Sequence, residues 1–391
     1  SGILNKSGFY ILYEYIELIE PQKNYIPLKP NKDSLAYVNK VMSIIVQMHN
    51  SNTQPLDFQF SHFLLQDEQI IIIDCGAIIA LEISSNAVNN EIRFAQIHQN
   101  MADIFSQLPI SYDQYIDDFL KSYQLGVLLS KKLSTLIICQ AMKQCRLSRL
   151  EKYPDKLSID NNEFFYEQNK HQTLLCEKQY CSEKWLSFYQ QLNELVESTP
   201  RLEESQTATM VLAQCDDKKV VIKRYNTGLK NRQLSTKGWN SWQKAHQLAV
   251  LGIKAPRPIA IIEQNIGWLQ NQVFYLSEYD ASEDALSYYS QRSEISEIHL
   301  EDFKQLFRAM IDSQVSHGDL KASNILLTQD GLSLSDLDSI QFHSPSVAKA
   351  KSFKNFFAKD LQNFMNNWPL NSTMYQQFQQ LLKELPDKPP C

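Results

Sequence analysis

The sequence predicts an α+β protein of two related units. The C-terminal half reads as a two-lobed unit, strands first and helices after, and the N-terminal half as a mainly helical unit. Three observations carry this. Short apolar strands between about residues 164 and 278 give way to helical patterns from residue 300 onward. The polar run His317-Gly318-Asp319-Leu320-Lys321-Ala322-Ser323-Asn324 precedes an apolar strand, Ile325-Leu326-Leu327, and then Asp336-Leu337-Asp338. A fainter copy of that loop and strand recurs near residue 57.

The bulk numbers narrow the classes. At 391 residues the chain can hold two domains, each with its own core. A net charge of −6 argues against bulk nucleic-acid binding. Ser1-Gly2 lacks an initiator Met and reads as a processed or added end, so the natural chain is expected to begin further upstream. No basic segment leads into an apolar one there, so no secretory signal is expected. The longest apolar run, Ile70 to Ile83, contains Asp74 and Glu82 and reads as a buried strand with its turn. Seven cysteines without a CxxC pair fit a reducing compartment, and Cys176 and Cys181 lack a partner pair for zinc.

In chain order, the first unit begins with Tyr10-Ile11-Leu12-Tyr13-Glu14-Tyr15, which matches Phe274-Tyr275-Leu276-Ser277-Glu278-Tyr279 further on. A helix follows with Val38, Val41, Met42, Ile45 and Met48 on one stripe. Laying Asp57 over Asp319 puts His62 on Asn324 and Asp74 on Asp336, the aspartates being separated by 17 positions in both copies. Residues 125–165 are expected to be helical and basic in places (Lys131, Lys132, Lys143, Arg146, Arg149, Lys152), broken at Tyr153-Pro154. That basic stretch reads as a solvated helix face, or as a surface for phosphorylated sugars or a membrane. The predicted boundary places the first unit at 1–154 and the second at 155–391.

The second unit opens with a hairpin, Phe164–Gln168 and Thr173–Lys178, and a helix from Lys184 to Glu197 that buries Trp185, Phe188, Leu192 and Leu195. Ser205 to Val211 is a small-residue turn in which backbone N–H groups and the hydroxyls of Thr207 and Thr209 can approach phosphates. The strand Lys218–Tyr225 delivers Lys223. A loop carrying Lys230, Arg232 and Lys237 is expected next, then a helix from Trp239 to Leu251 closed by Gly252. Strands at Ile259–Glu263 and Val273–Glu278 lead to Glu278-Tyr279, and a helix from Leu300 to Val315 leads into His317.

These residue types suit phosphoryl transfer. Asp319 can accept a proton from an attacking hydroxyl, and Lys321 can neutralise the moving phosphoryl group. Asn324 and Asp336 can hold the Mg²⁺ that bridges ATP phosphates, and Lys223 can contact the α- and β-phosphates. Glu278-Tyr279 then stands at the hinge where backbone groups hold adenine. The helix after Lys223 offers Asn240, Ser241 and Gln243, with no glutamate to pair with that lysine. The first copy has Pro55-Leu56 in place of His-Gly before Asp57, Phe58 and Gln59 after it, and His62 at the metal position, so Asp57 and Asp74 read as structural remnants.

Ile222-Lys223-Arg224-Tyr225-Asn226, then Trp242 with Leu251-Gly252-Ile253-Lys254-Ala255-Pro256-Arg257-Pro258, then the His317 loop and Asp336-Leu337-Asp338, together resemble the lipopolysaccharide kinase family over roughly residues 165–385. The resemblance implies a protein-kinase-like bilobal fold in the C-terminal half, with a degenerate, C-lobe-like pseudokinase unit before it. It implies an ATP- and Mg²⁺-dependent kinase whose acceptor is a Kdo or heptose hydroxyl of the lipopolysaccharide inner core or another glycolipid. By matching positions, Asp319 and Lys321 are the expected catalytic residues, with Lys223, Glu278, Tyr279, Thr207 and Thr209 at the nucleotide and Asn324 and Asp336 at the metal. Asp338 stands where protein kinases usually have glycine. The expected site of action is the cytoplasm, peripheral on the inner-membrane surface, with no nucleic-acid partner. Two other readings of the same residues are a protein Ser/Thr kinase and a non-catalytic double pseudokinase that acts by binding. The absence of glycine from 205–211 and of a helix glutamate favours the last, and the joint presence of Lys223, Asp319, Lys321, Asn324 and Asp336 opposes it.

Overall fold

A computed structural model describes residues 2–5, 8–11, 26–27, 29–56, 58–66, 69–72, 78–81, 87–126, 134–157, 159–205, 207–225, 232–266, 270–343 and 347–385. The expected hinge-like segment 12–15, Asp57, Asp74, Lys131, Lys132 and Lys230 lie outside the described residues. The described part of the first unit starts with the hairpin β1 (Gly2–Asn5) and β2 (Gly8–Ile11). Then come α1 (Lys32–Asn50), β3 (Thr53–Pro55), a 3-10 turn at Phe60–His62, and strands β4 (Phe63–Gln66), β5 (Gln69–Ile72) and β6 (Ile78–Ala80). Helices α2 (Ala87–Phe105), α3 (Ile116–Gly126) and α4 (Thr135–Lys156) complete it.

The second unit has a sheet lobe and a helical lobe. The sheet lobe holds β7 (Phe164–Gln168), β8 (Gln172–Glu177), α5 (Glu183–Gln190), α6 (Leu192–Ser198), β9 (Arg201–Glu204), β10 (Ala208–Cys215), β11 (Lys218–Tyr225), α7 (Arg232–Leu251), β12 (Pro258–Ile266) and β13 (Gln270–Glu278). The helical lobe holds α8 (Ala285–Tyr289), α9 (Glu297–Ser313), β14 (Val315–Ser316), β15 (Ile325–Thr328), β16 (Gly331–Leu334), β17 (Gln341–Phe342), α10 (Val347–Met365) and α11 (Thr373–Glu384).

Strand alternation builds the sheet lobe. Its seven antiparallel strands run in the order β7-β8-β12-β13-β11-β10-β9. On β11, Val220 and Ile222 turn to one face and join Trp185, Phe188, Leu192 and Val196 of α5 and α6 in one core. Tyr225 turns to the other face and joins Trp242 of α7. Lys223, two residues before Tyr225, shares that second face. The sheet is thus covered on both sides, and α7 is the layer that borders the cleft.

Helix α7 begins before the predicted start at Trp239, and Arg232 and Lys237 lie in it rather than in a loop. Gly238 accounts for the difference. It interrupts the helical pattern because a Cβ there would stand 2.4 Å from Val273 Cγ1, so only glycine lets α7 lie this close to the sheet. The helix predicted to reach Val315 ends at Ser313, and Val315-Ser316 instead pair with β17.

Within the first unit the elements repeat those of the helical lobe. The 3-10 turn Phe60–His62 answers Ala322–Asn324, β4 answers β15 and β5 answers β16, each 262 residues apart. The β4–β5 hairpin keeps the register of β15–β16: Phe63 pairs with Ile72 as Ile325 pairs with Leu334. Helix α1 precedes this set as α9 does, β3 pairs with β6 as β14 pairs with β17, and 19-residue helices follow in both. Asn31 caps α1 through a reciprocal box with Ser34, and Val38, Val41, Met42 and Ile45 are buried along its stripe, with Met48 partly buried.

Helix α4 joins the two units. It packs on α2 and on α7, and the Leu150 carbonyl accepts a bond from Gln247 Nε2 at 3.0 Å. Arg146, expected on a solvated face, is instead buried. It pairs with both oxygens of Asp113 at 2.6 and 2.7 Å and donates to the Leu108 carbonyl. Burial costs a charged side chain heavily unless every donor is met, and here most are. Gly252 meets the first unit closely: with φ +74, a Cβ there would stand 2.6 Å from Pro109 Cβ. The free thiols among the described residues are Cys145, Cys176, Cys181 and Cys215.

Asp312 of α9 lines a cavity of about 180 Å³ between the units and has one oxygen with no hydrogen-bond partner. Burial lifts its carboxyl to about 6, helped by Asp113 and opposed by Arg308, Lys143 and Arg146. Between the unfolded aspartate value and about 6 the native chain keeps a proton that the unfolded chain has released, so stability falls as pH rises through that window. We predict that Asp312→Asn stabilises the chain at pH 7.5 by on the order of 2 kcal/mol. The gain should shrink towards zero near pH 4 in urea unfolding. An equal effect at both pH values contradicts a buried, proton-holding carboxyl at this position.

Candidate active site

The cleft lies where β11 and α7 of the sheet lobe meet the Asp336-Leu337-Asp338 turn of the helical lobe. Lys223 Nζ donates to Asp336 Oδ1 at 2.5 Å and lies 3.8 Å from Asp338 Oδ2. Lys237 of α7 approaches the same Asp338 oxygen at 3.7 Å. The acid missing from the helix is therefore supplied by the turn, and the helix contributes a cation. Burial opposes the Lys223 charge, yet Tyr225, Asp336 and Asp338 outweigh it and hold the ammonium above the ordinary lysine value. Burial also opposes ionisation of Asp336, but Lys223 outweighs it and holds the carboxyl below the ordinary range. Asp336 itself is in the left-handed region at φ 55, a conformation that turns its carboxylate into the cleft instead of along the strand.

The loop before it hangs from α10. The His317 N–H donates to Asp360 Oδ2 at 2.6 Å and the Gly318 N–H to Asp360 Oδ1 at 3.0 Å. Gly318 has φ +83, and a Cβ would stand 2.7 Å from the Ser339 carbonyl oxygen, so only glycine fits. The His317 ring meets the Ser335 carbonyl at 2.9 Å, which ties the loop to the segment between β16 and the Asp336 turn. Past the glycine, Asp319 projects a half-exposed carboxylate that accepts from Lys321 Nζ at 2.8 Å. Asn324 Nδ2 donates to the Asp319 carbonyl at 2.9 Å, so its side chain is fixed with the amide oxygen as the remaining acceptor. Asn367, in the turn after α10, accepts the Ala322 N–H at 2.5 Å.

The oxygens of Asp336 and Asn324 are hard ligands that suit Mg²⁺. Among the described residues no group of three or more His, Cys, Asp or Glu could hold a metal by itself.

The other predicted residues are placed differently. Glu278 ends β13, and its side chain is pinned by Lys218 at 2.9 Å and by the Tyr180 hydroxyl. The Glu278 N–H donates to the Arg257 carbonyl at 2.8 Å and the Tyr279 N–H to the Lys219 carbonyl at 2.9 Å. Both amides are consumed by the fold, which leaves carbonyls and later residues of this segment for an adenine. Thr207 sits in the β9–β10 turn, its N–H bonded to Ser205 Oγ at 3.3 Å. Thr209 is buried on β10 opposite Arg224, on the face away from Lys223, so its hydroxyl does not enter the cleft. His62 follows the first copy's loop at the position of Asn324.

Sequence reasoning missed Asp360, Lys237 and Asn367. Asp360 carries a faint signal, since an aspartate sits within the apolar stripe of Phe353, Phe357 and Phe364 on α10. Burial pushes its carboxyl above the ordinary value, against the pull of its N–H donors. We predict that Asp360→Ala, which leaves the buried His317 N–H and the part-buried Gly318 N–H unpaired, costs about 2–4 kcal/mol in urea unfolding. A loss below about 0.5 kcal/mol contradicts the assignment.

Comparison with known proteins adds the following. No curated protein matches the chain. A solved structure, "WaaP in complex with acyl carrier protein", is similar over 54% of this chain and 87% of that chain, at 17% identity and a TM-score of 0.40. Residues 207–383 match the family model for the lipopolysaccharide kinase (Kdo/WaaP) family. The family that the motifs indicate is therefore the family that the C-terminal unit matches over residues 207–383: the lipopolysaccharide kinase (Kdo/WaaP) family.

Proposed function

We propose that the C-terminal unit transfers the γ-phosphoryl group of ATP to a sugar hydroxyl of the lipopolysaccharide inner core, Kdo or heptose. The observation that supports this most is the ion pair between Lys223 of the sheet lobe and Asp336 of the helical lobe, whose neighbouring loop presents the Asp319–Lys321 pair. Asp319 takes the proton of the acceptor hydroxyl as its oxygen bonds to the γ-phosphorus and the bond to the β-phosphate oxygen breaks. Lys321 stands against Asp319 and neutralises the equatorial oxygens during transfer. Lys223 releases Asp336 and moves to the α- and β-phosphates. Asp336 and Asn324 would hold Mg²⁺, which would offset phosphate charge. The products are ADP and a sugar phosphate.

In this reading residues 155–391 form the catalytic domain and 1–154 a degenerate C-lobe-like pseudokinase that scaffolds it. The contact of α4 with α7 supports a scaffold role, since α7 borders the cleft. No described helix is long and apolar enough to cross a membrane. The proposed place of action is the cytoplasmic face of the inner membrane, at the membrane surface.

Mass spectrometry of purified lipopolysaccharide after incubation with ATP, Mg²⁺ and the protein tests this. An added phosphate on an inner-core sugar is expected, and phosphate on added protein substrates instead would move the assignment to a protein kinase. Asp319→Ala should lower turnover by about 10²–10⁴-fold with the fold intact. Lys223→Ala should abolish it similarly, while Asp57→Ala in the first unit should leave it nearly unchanged. Full activity of Asp319→Ala would overturn the catalytic assignment.

A further inference from the structure

Kinase sites commonly tie the strand lysine to a carboxylate on the neighbouring helix, and that tie reports whether the helix is in place. In this chain the polarity of the tie is reversed. Helix α7 presents Lys237, and the carboxylate between the two lysines belongs to Asp338, the position after Asp336-Leu337. We propose that Asp338 and Lys237 act together as a positioning pair that replaces the helix glutamate and holds Lys223 ready for the nucleotide; this rests on the kinase reading above.

Four observations support the pair. Asp338 is only 10% exposed, so its charge is poorly screened and its partners matter. Its two oxygens are divided: Oδ1 accepts from Ser339 Oγ at 2.9 Å, and Oδ2 faces both ammonium groups. Gly238, next to Lys237, lets α7 approach the sheet closely enough to bring that lysine to the turn. Finally, Lys223 rests on Asp336, a residue needed elsewhere once nucleotide and metal arrive. When Asp336 leaves, Asp338 is the remaining carboxylate beside Lys223, and without it two cations would face each other uncompensated. The pair also extends the path from the first unit, since α4 packs on α7.

The test is MgATP binding by calorimetry and phosphotransfer kinetics on the full chain. Asp338→Asn and Lys237→Met should each lower kcat/KM for MgATP by about tenfold, with KM affected more than kcat. The double variant should be no worse than the weaker single, because both remove one interaction. Lys237→Arg should retain most activity, which a merely structural lysine would not require. Lys237 is 41% exposed, so its variants remain folded and informative even where Asp338→Asn is destabilised. Singles within about twofold of wild type, or effects that multiply in the double variant, overturn the pair. Wild-type protein that neither binds nor turns over MgATP overturns the kinase reading and the pair with it, whereas an active wild type with indifferent singles overturns the pair alone.

Discussion

The carboxylate of Asp360 is the anchor on which the site depends. It is buried in the helical lobe, where a charge is costly, and it is matched by the N–H groups of His317 and Gly318. That match fixes the start of the loop. Gly318 then turns through positive φ, Asp319 emerges at the cleft, and the His317 ring holds the start of the Asp336 turn through Ser335. The first unit offers a natural control. Asn100 occupies the fourteenth position of α2, as Asp360 does in α10. Opposite it, Pro55 stands where His317 stands in the second copy, and proline has no N–H to donate. A carboxylate there would lose the backbone N–H that His317 supplies in the second copy. The asparagine instead turns its amide to the Pro55 carbonyl at 3.3 Å and its oxygen to His49 Nε2 at 3.1 Å. One copy keeps the anchor that presents an aspartate, and the other has replaced it with a neutral bond of reversed direction.

The second dependence is electrostatic. Two lysines and two aspartates face one another between the lobes, and the set is neutral. Neutrality matters because each charge is partly withdrawn from water. On the proposed kinase reading it also sets what a nucleotide must do on arrival. Its phosphates must draw Lys223 away from a carboxylate at 2.5 Å, and a metal must compensate that carboxylate. The first unit bears on this through α4, whose contact with α7 holds the helix that delivers Lys237.

Much of this is legible in the sequence. The loop residues, the Lys223 strand and the repeat are patterns of local spacing, and local spacing survives in a linear reading. The rest depends on tertiary placement. Asp360 and Asn367 act across more than forty residues, so no motif links them to the loop. The start of α7 is hidden because Gly238 looks like a helix breaker until Val273 is seen beside it. Thr209 reads as a phosphate-loop hydroxyl in sequence, but strand alternation sends it to the face opposite Lys223. Glu278 and Tyr279 stand at the end of β13 as their pattern predicts, yet their amides are spent on Arg257 and Lys219, which only pairing in space reveals. Arg146 reads as part of a solvated basic face but is the buried partner of Asp113.

The central claim is that this cleft receives nucleotide phosphates by exchanging them for Asp336 on Lys223. A crystal structure of the full chain with Mg²⁺ and a non-hydrolysable ATP analogue tests it most directly. The account predicts Lys223 Nζ on phosphate oxygens, Asp336 on the metal, and Asp338 still beside Lys223. Nucleotide bound elsewhere, or Lys223 still paired with Asp336 beneath a bound nucleotide, would contradict it.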